Sequence, residues 1–118
     1  MALTRIGLIL VVLIAFLAMG TGLAGAEQYK YVTQWGSYGT LHGQFKYPQG
    51  IAVDDEGYVY VADLSNIRVQ KFSPNGTYIR EWAAHTYPYD IAVDGNQNIY
   101  VSGFMAPLVM KIPKDGSP

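Results

Sequence analysis

Tyr47-Pro48-Gln49-Gly50-Ile51-Ala52-Val53-Asp54 returns forty residues later as Tyr87-Pro88-Tyr89-Asp90-Ile91-Ala92-Val93-Asp94. Carried on to Tyr78, the same shift gives 11 identities over 32 positions without a gap. Tyr60-Val61 recurs as Tyr100-Val101, and Val69, Lys71 and Gly76 recur as Val109, Lys111 and Gly116. The identities fall in apolar runs and at turn residues, where a structural repeat keeps them.

Each copy reads as short strands. Gly50–Asp54 is apolar and is stopped by the turn cluster Asp55-Glu56-Gly57. Tyr58–Ala62 is dense in β-branched and aromatic residues, the types that suit a pleated, half-buried surface. A polar connection, Asp63–Ile67, leads to a strand over Arg68–Phe72. Ser73-Pro74-Asn75-Gly76 then turns the chain, because Asn-Gly accepts the positive φ of a tight hairpin, and Tyr78–Trp82 is the fourth strand. The second copy places strands at Asp90–Asp94, Asn98–Ser102 and Leu108–Ile112. Four antiparallel strands in forty residues make one blade of a β-propeller, so the fold class is all-β.

Three stretches, Phe45–Asp54, Val59–Asp63 and Asn66–Phe72, resemble the NHL repeat, as does the lead-in Trp35–Phe45. The resemblance spans about residues 31–116 and implies a rigid ring of blades whose loops contact protein or glycan. The second copy departs where Asp63, Asn66 and Arg68 become Gly103, Ala106 and Leu108. Lys30–Trp35 is similar to Tyr78–Trp82, both ending in Trp, and reads as the outermost strand of a preceding blade. Labelling blade strands a to d from the centre outwards, the order is d, a-b-c-d, a-b-c. Two blades do not close a ring. Three readings follow: three copies assemble as a homotrimer with six blades, the first strand of one completing the last blade of the next; the chain is a segment of a longer propeller; or it stands alone as a monomeric mini-sheet.

Residues 1–26 differ from the rest. Arg5 is the only charge before Glu27, Ile6–Met19 is apolar, and Ala24-Gly25-Ala26 supplies small residues for cleavage. This is the pattern of a secretory signal peptide, an apolar helix removed after Ala26 to leave residues 27–118 secreted or at the cell surface. Uncleaved, Ile6–Ala26 is long enough to anchor the chain in a membrane.

Composition narrows the function. With no cysteine, disulfide scaffolds and thiolate zinc sites are excluded. Residues 27–118 hold 7 basic and 9 acidic side chains, net −2, which argues against a nucleic-acid partner. No nucleophile elbow or phosphate loop is present, no metal-ligand spacing is found, and no cofactor is expected. The Asp54-Asp55-Glu56 cluster fits turn chemistry better than calcium binding.

The candidate ligand-binding residues are Tyr38, His42, His85 and Tyr89, on the connections that lead into each copy; exposed rings there suit peptide or sugar contact. Tyr47 and Tyr87, being repeated, are expected to pack between blades. Asp63, Asn66 and Arg68 are expected to stiffen their loop through an Asp–Arg pair and an Asn–backbone bond. Asn75-Gly76-Thr77 is an N-glycosylation sequon with Asn75 as acceptor. The function expected is an exported binding or scaffold module; the alternative is a propeller-based hydrolase or lyase, such as the amidating lyases.

Overall fold

The computed structural model describes residues 28–116. The expected apolar signal helix over 1–26 lies outside the described residues. The chain divides into a unit ending at Val32 and a unit beginning at Thr33, and the strands all belong to the second.

The second unit is built of antiparallel sheets with a small parallel ribbon in front. The ribbon pairs β1 (Ser37–Tyr38) with β2 (Gln44–Phe45). A four-stranded sheet follows in simple meander order: β3 (Pro48–Val53), β4 (Val59–Asp63), β5 (Arg68–Phe72) and β6 (Tyr78–Ala83). The last sheet has three strands, β7 (Pro88–Val93), β8 (Ile99–Gly103) and β9 (Val109–Ile112), again in sequence order. These are the expected blades, a-b-c-d and a-b-c, with strand ends moved by one or two residues. Both a strands start at the proline and contain a bulge, between Pro48 and Ile51 and between Pro88 and Asp90.

Hairpin turns repeat in atomic detail. The Asp54 Oδ1 accepts the N–H groups of Glu56 (3.0 Å) and Tyr58 (2.9 Å), and Oδ2 accepts the Tyr60 hydroxyl at 2.9 Å. Forty residues on, Asp94 Oδ1 accepts from Asn96 and Asn98 (both 2.9 Å) and Oδ2 from the Tyr100 hydroxyl at 3.1 Å. The acidic cluster thus serves the turn. Each of these loops has three residues and ends in the left-handed region, at Gly57 (φ 85°) and Gln97 (φ 63°). A glutamine there carries strain that glycine would not. Its side chain reaches back to the first blade and donates to Glu56 Oε1 at 2.6 Å.

Two apolar layers hold the sheets. Tyr60, Val69, Ile91, Ile99 and Val101 are buried between the blades, with Ala52, Trp82, Met110 and Ile112 around them. On the other face of the first blade, Val59, Val61 and Phe72 lie beneath Trp35, Phe45 and Tyr78. The alternation along β4 explains both layers: Tyr60 and Ala62 point one way, Val59 and Val61 the other.

Two expectations are corrected. Lys30–Trp35 is not a strand; no ladder partner lies beside it among the described residues, and a lone strand leaves its backbone groups unpaired. Trp35 instead sets its ring against Phe72, centroids 5.9 Å apart, and over Gly76. Tyr47 and Tyr87 do not pack between the blades; they are 68% and 49% exposed. A left-handed φ of 54° at Tyr47 turns its ring outwards, while the following Pro88 is the buried residue of the second copy. As expected, the connection after β4 is polar and stiffened; within it Leu64–Asn66 forms one 3-10 turn.

Candidate binding surface

The lead-in loop between Gly39 and Lys46 has little secondary structure, yet its backbone is fixed from below by four side chains of the first blade. Asp63, fully buried at the end of β4, accepts the Lys46 N–H through Oδ1 at 2.7 Å. Its Oδ2 accepts from Arg68 Nε (2.9 Å), Asn66 Nδ2 (2.8 Å) and Gln70 Nε2 (3.3 Å). Arg68 also donates to the carbonyls of Thr40 (3.1 Å), Leu41 (3.0 Å) and Gln44 (2.8 Å), and to Glu81 Oε2 at 2.8 Å. All five guanidinium N–H groups are thereby used, which lysine could not reproduce. Gln70 accepts the Gly43 N–H at 2.9 Å and donates to the Gln44 carbonyl at 2.8 Å. Asn66 donates to the Gly39 carbonyl at 2.9 Å.

The network sits on the repeat's register. Asp63 and Arg68 are ladder partners across β4 and β5, so their side chains emerge side by side. The 3-10 turn between them closes at Ile67, held left-handed at φ 54°. For a β-branched residue that conformation is strained, and the clamp around it is what over-determines it. In the second blade Gly103, Ala106, Leu108 and Met110 stand in place of Asp63, Asn66, Arg68 and Gln70, and the clamp is missing there.

Above the clamp the loop turns large side chains to solvent. Tyr38 is 75% exposed and Leu41 69%. Lys46 Nζ lies 5.6 Å from the Tyr38 ring centroid. His42 is stacked flat on Tyr78, centroids 4.4 Å apart and planes 5° from parallel. His85 belongs to the corresponding connection of the second blade, with a left-handed φ of 52°, and lines a groove with Trp82, Met110 and Ile112. Tyr89, at the start of β7, stacks on Phe104 with centroids 5.4 Å apart. Tyr38 and His42 thus share one loop, whereas His85 is an exposed residue beside the second-blade groove and Tyr89 stacks on Phe104. Among the described residues no three His, Asp or Glu side chains converge as metal ligands. Asn75 is exposed at its hairpin tip, where its Oδ1 accepts the Thr77 hydroxyl at 3.0 Å.

Leu41, Gln70 and a set of cation–aromatic pairs are not foreseen by the sequence reading. Lys71 Nζ lies 4.1 Å from the Tyr58 centroid and 5.0 Å from that of Tyr60. Burial pushes the Lys71 ammonium below its ordinary value, against the pull of Asp54 and Glu56. The pair recurs as Lys111 over Tyr100 at 5.6 Å. Tyr60–Lys71 and Tyr100–Lys111 are direct ladder partners, so the forty-residue recurrence of both members was the available signal.

Comparison with known proteins agrees with the architecture. Residues 45–72 match the family described as NHL repeat, and residues 83–103 match the one described as Beta-propeller repeat. The chain is similar to the E3 ubiquitin-protein ligase TRIM71 of Gallus gallus, 43% identical over 60 residues, 51% of this chain and 6% of that protein. It is similar to the B-box type zinc finger protein ncl-1 of Caenorhabditis elegans, 40% identical over 48 residues, 41% of this chain and 6% of the relative. Protein brain tumor of Drosophila melanogaster is 38% identical over 48 residues, 41% of this chain and 5% of its own length. The matched region is therefore a small part of each relative.

Proposed function

Because the chain carries an NHL repeat followed by a second β-propeller repeat, we propose that it is an exported protein-binding module whose recognition surface is the clamped loop Tyr38–Tyr47. Export rests on the signal-peptide pattern of residues 1–26. The observation that carries the binding role is the pairing of exposure with rigidity. Tyr38, Leu41 and Tyr47 stand out to solvent on a loop whose backbone is bonded from beneath by Asp63, Asn66, Arg68 and Gln70. A partner that covers these side chains gains apolar area without ordering the loop, and preorganisation of this kind raises affinity. Two aromatic rings flanking a leucine suit an apolar peptide segment better than a sugar, whose hydroxyls need more polar partners. Similarity to a relative named as a ubiquitin-protein ligase supports protein over glycan as the ligand class.

The test is selection of peptides against the chain from a displayed random library, with a glycan array in parallel. Selected peptides are expected to lose binding in Leu41→Asp and weaken in Tyr38→Ala, with thermal unfolding unchanged. Peptides indifferent to both substitutions, or binding confined to glycans, would overturn the proposal.

A further inference from the structure

We infer that Asn75 is a self-modifying residue: in the folded chain the Gly76 backbone nitrogen attacks its side-chain amide, which is lost as ammonia to leave aspartate. Four asparagines stand in the chain, at 66, 75, 96 and 98, and only Asn75 is followed by glycine. Ile67, Gln97 and Ile99 follow the others. A side chain on the following residue crowds the approach of its nitrogen to the amide carbon, and glycine has none. Nucleophile and amide belong to adjacent residues, so the step is intramolecular.

The turn supplies a second observation. Asn75 Oδ1 accepts three donors: the Ser73 hydroxyl, the Thr77 hydroxyl at 3.0 Å and the Thr77 N–H at 3.4 Å. The Ser73 hydroxyl is itself oriented by the Thr77 N–H, which it accepts at 3.0 Å. Donors gathered on a carbonyl oxygen draw charge from its carbon and stabilise the oxyanion that forms as the nitrogen adds. The turn around them is fixed. The Trp35 ring lies over Gly76, where a β-carbon would stand 2.8 Å from it, and Pro74 lies 3.3 Å from where a β-carbon of Gly57 would be. Asn75 itself is exposed, so water reaches it.

The reaction balances with water as the co-reactant. The Gly76 N–H gives up its 2.9 Å bond to the Ser73 carbonyl. Its nitrogen bonds to Asn75 Cγ, the Cγ–Nδ2 bond breaks, and ammonia leaves with the proton that Gly76 loses. Water then opens the cyclic imide, at Cγ to give aspartate or at the main-chain carbonyl to give an iso-linked aspartate. One water is taken up and one ammonia released, with no oxidation or reduction.

The repeat shows that the aspartate product fits. Forty residues on, Asp115 holds the place of Asn75 and Gly116 that of Gly76. The two turns match: the Gly116 N–H donates to the Pro113 carbonyl at 2.8 Å, and the glycines have φ of 86° and 72°. The iso-linked product lengthens the main chain by one carbon ahead of Gly76 and pushes that residue against Trp35. Either product removes the nitrogen that a glycan needs, so glycosylation and deamidation are alternative fates of Asn75.

The test follows amide loss in the full chain, made without glycosylation and held in mild detergent at mildly alkaline pH, by peptide mass mapping over time. Asn75 is expected to convert while Asn66, Asn96 and Asn98 stay intact. Thr77→Val is expected to slow conversion about fivefold, less than the hundredfold or so of a buried oxyanion donor because the turn is exposed. Thr77→Ser, which restores the hydroxyl, is expected to recover the rate. In urea the three chains are expected to convert alike. Conversion of Asn75 no faster than that of the other asparagines, or an equal rate in folded Thr77→Val, would overturn the proposal. A Thr77 effect that persists in urea would overturn it too, because the effect would then belong to the peptide and not to the fold. Asn75→Asp checks the product directly: it is expected to melt with the parent and keep its tryptophan fluorescence, and a lowered melting temperature would overturn the proposal.

Discussion

Gly50 lies so close to Asp90 that a β-carbon added at Gly50 would stand 2.8 Å from the Asp90 Cα and 2.9 Å from the Tyr89 carbonyl oxygen. The two residues hold the same place in successive copies, on β3 and β7. The contact is backbone against backbone, so no side chain can swing aside. It is where the inner strands of the two blades approach, and it sets how closely the interblade core of Tyr60, Ile91 and Val101 can pack.

Gly50→Ala is accordingly expected to destabilise the fold by about 1–3 kcal/mol, the range for overpacking a well-filled contact. Gly95→Ala is the control, because a β-carbon there meets nothing within 4 Å. Urea titration should show a lower midpoint for the first and a shift within about 0.5 kcal/mol for the second.

Removing one partner of a buried ion pair leaves the other charge stranded. The Asp63 side chain is fully buried and that of Arg68 is 8% exposed, with 2.9 Å between Nε and Oδ2. Arg68→Ala is expected to cost about 3–5 kcal/mol. Adding Asp63→Ala should recover part of that loss, because the stranded carboxylate goes as well. Additive losses in this double-mutant cycle would show that the pair is not coupled.

Two groups bend the pH profile in opposite directions. The Asn98 side-chain amide, with the backbone N–H groups of Asn98 and Asn96 and the Tyr100 hydroxyl, holds the Asp94 carboxyl below its ordinary 3.8. Its folded pKa is depressed, so its contribution is present above pH 3.8 and is lost as pH falls through the lower folded value. Burial, then the bond to Asp54, pushes the Tyr60 phenol above its ordinary 10.0. That folded pKa is raised, so its contribution is present below pH 10 and is lost as pH rises through the higher folded value. Chemical denaturation across pH should show Asp94→Asn flattening the acid limb and Tyr60→Phe flattening the alkaline limb.

Export and the sequon are checked together. Expressed in a secretory eukaryotic host, the chain is expected to gain a glycan at Asn75, seen as a mass increase removed by glycosidase. The increase should be absent in Asn75→Gln, and a chain retained unmodified in the cell would count against export.

The blades, their strand order and their turn residues were written in the linear chain. A structural repeat must keep its apolar alternation and its turn formers at fixed spacing, and Ile51–Asp54 with Ile91–Asp94 does so visibly. The role of Asp54 and Asp94 was equally local, since each bonds backbone only two to four residues away. What the tertiary structure decided was everything that depends on residues remote in sequence. Arg68 reaches carbonyls 24 to 28 positions earlier, and Gln97 reaches Glu56 across 41. No spacing rule links such pairs, because they meet only after the sheets have stacked. The same holds for Lys30–Trp35: its residues favour a strand, but a strand exists only where a neighbour completes its hydrogen bonds. Local pattern set what each segment could become, and the presence or absence of a partner across space decided what it was.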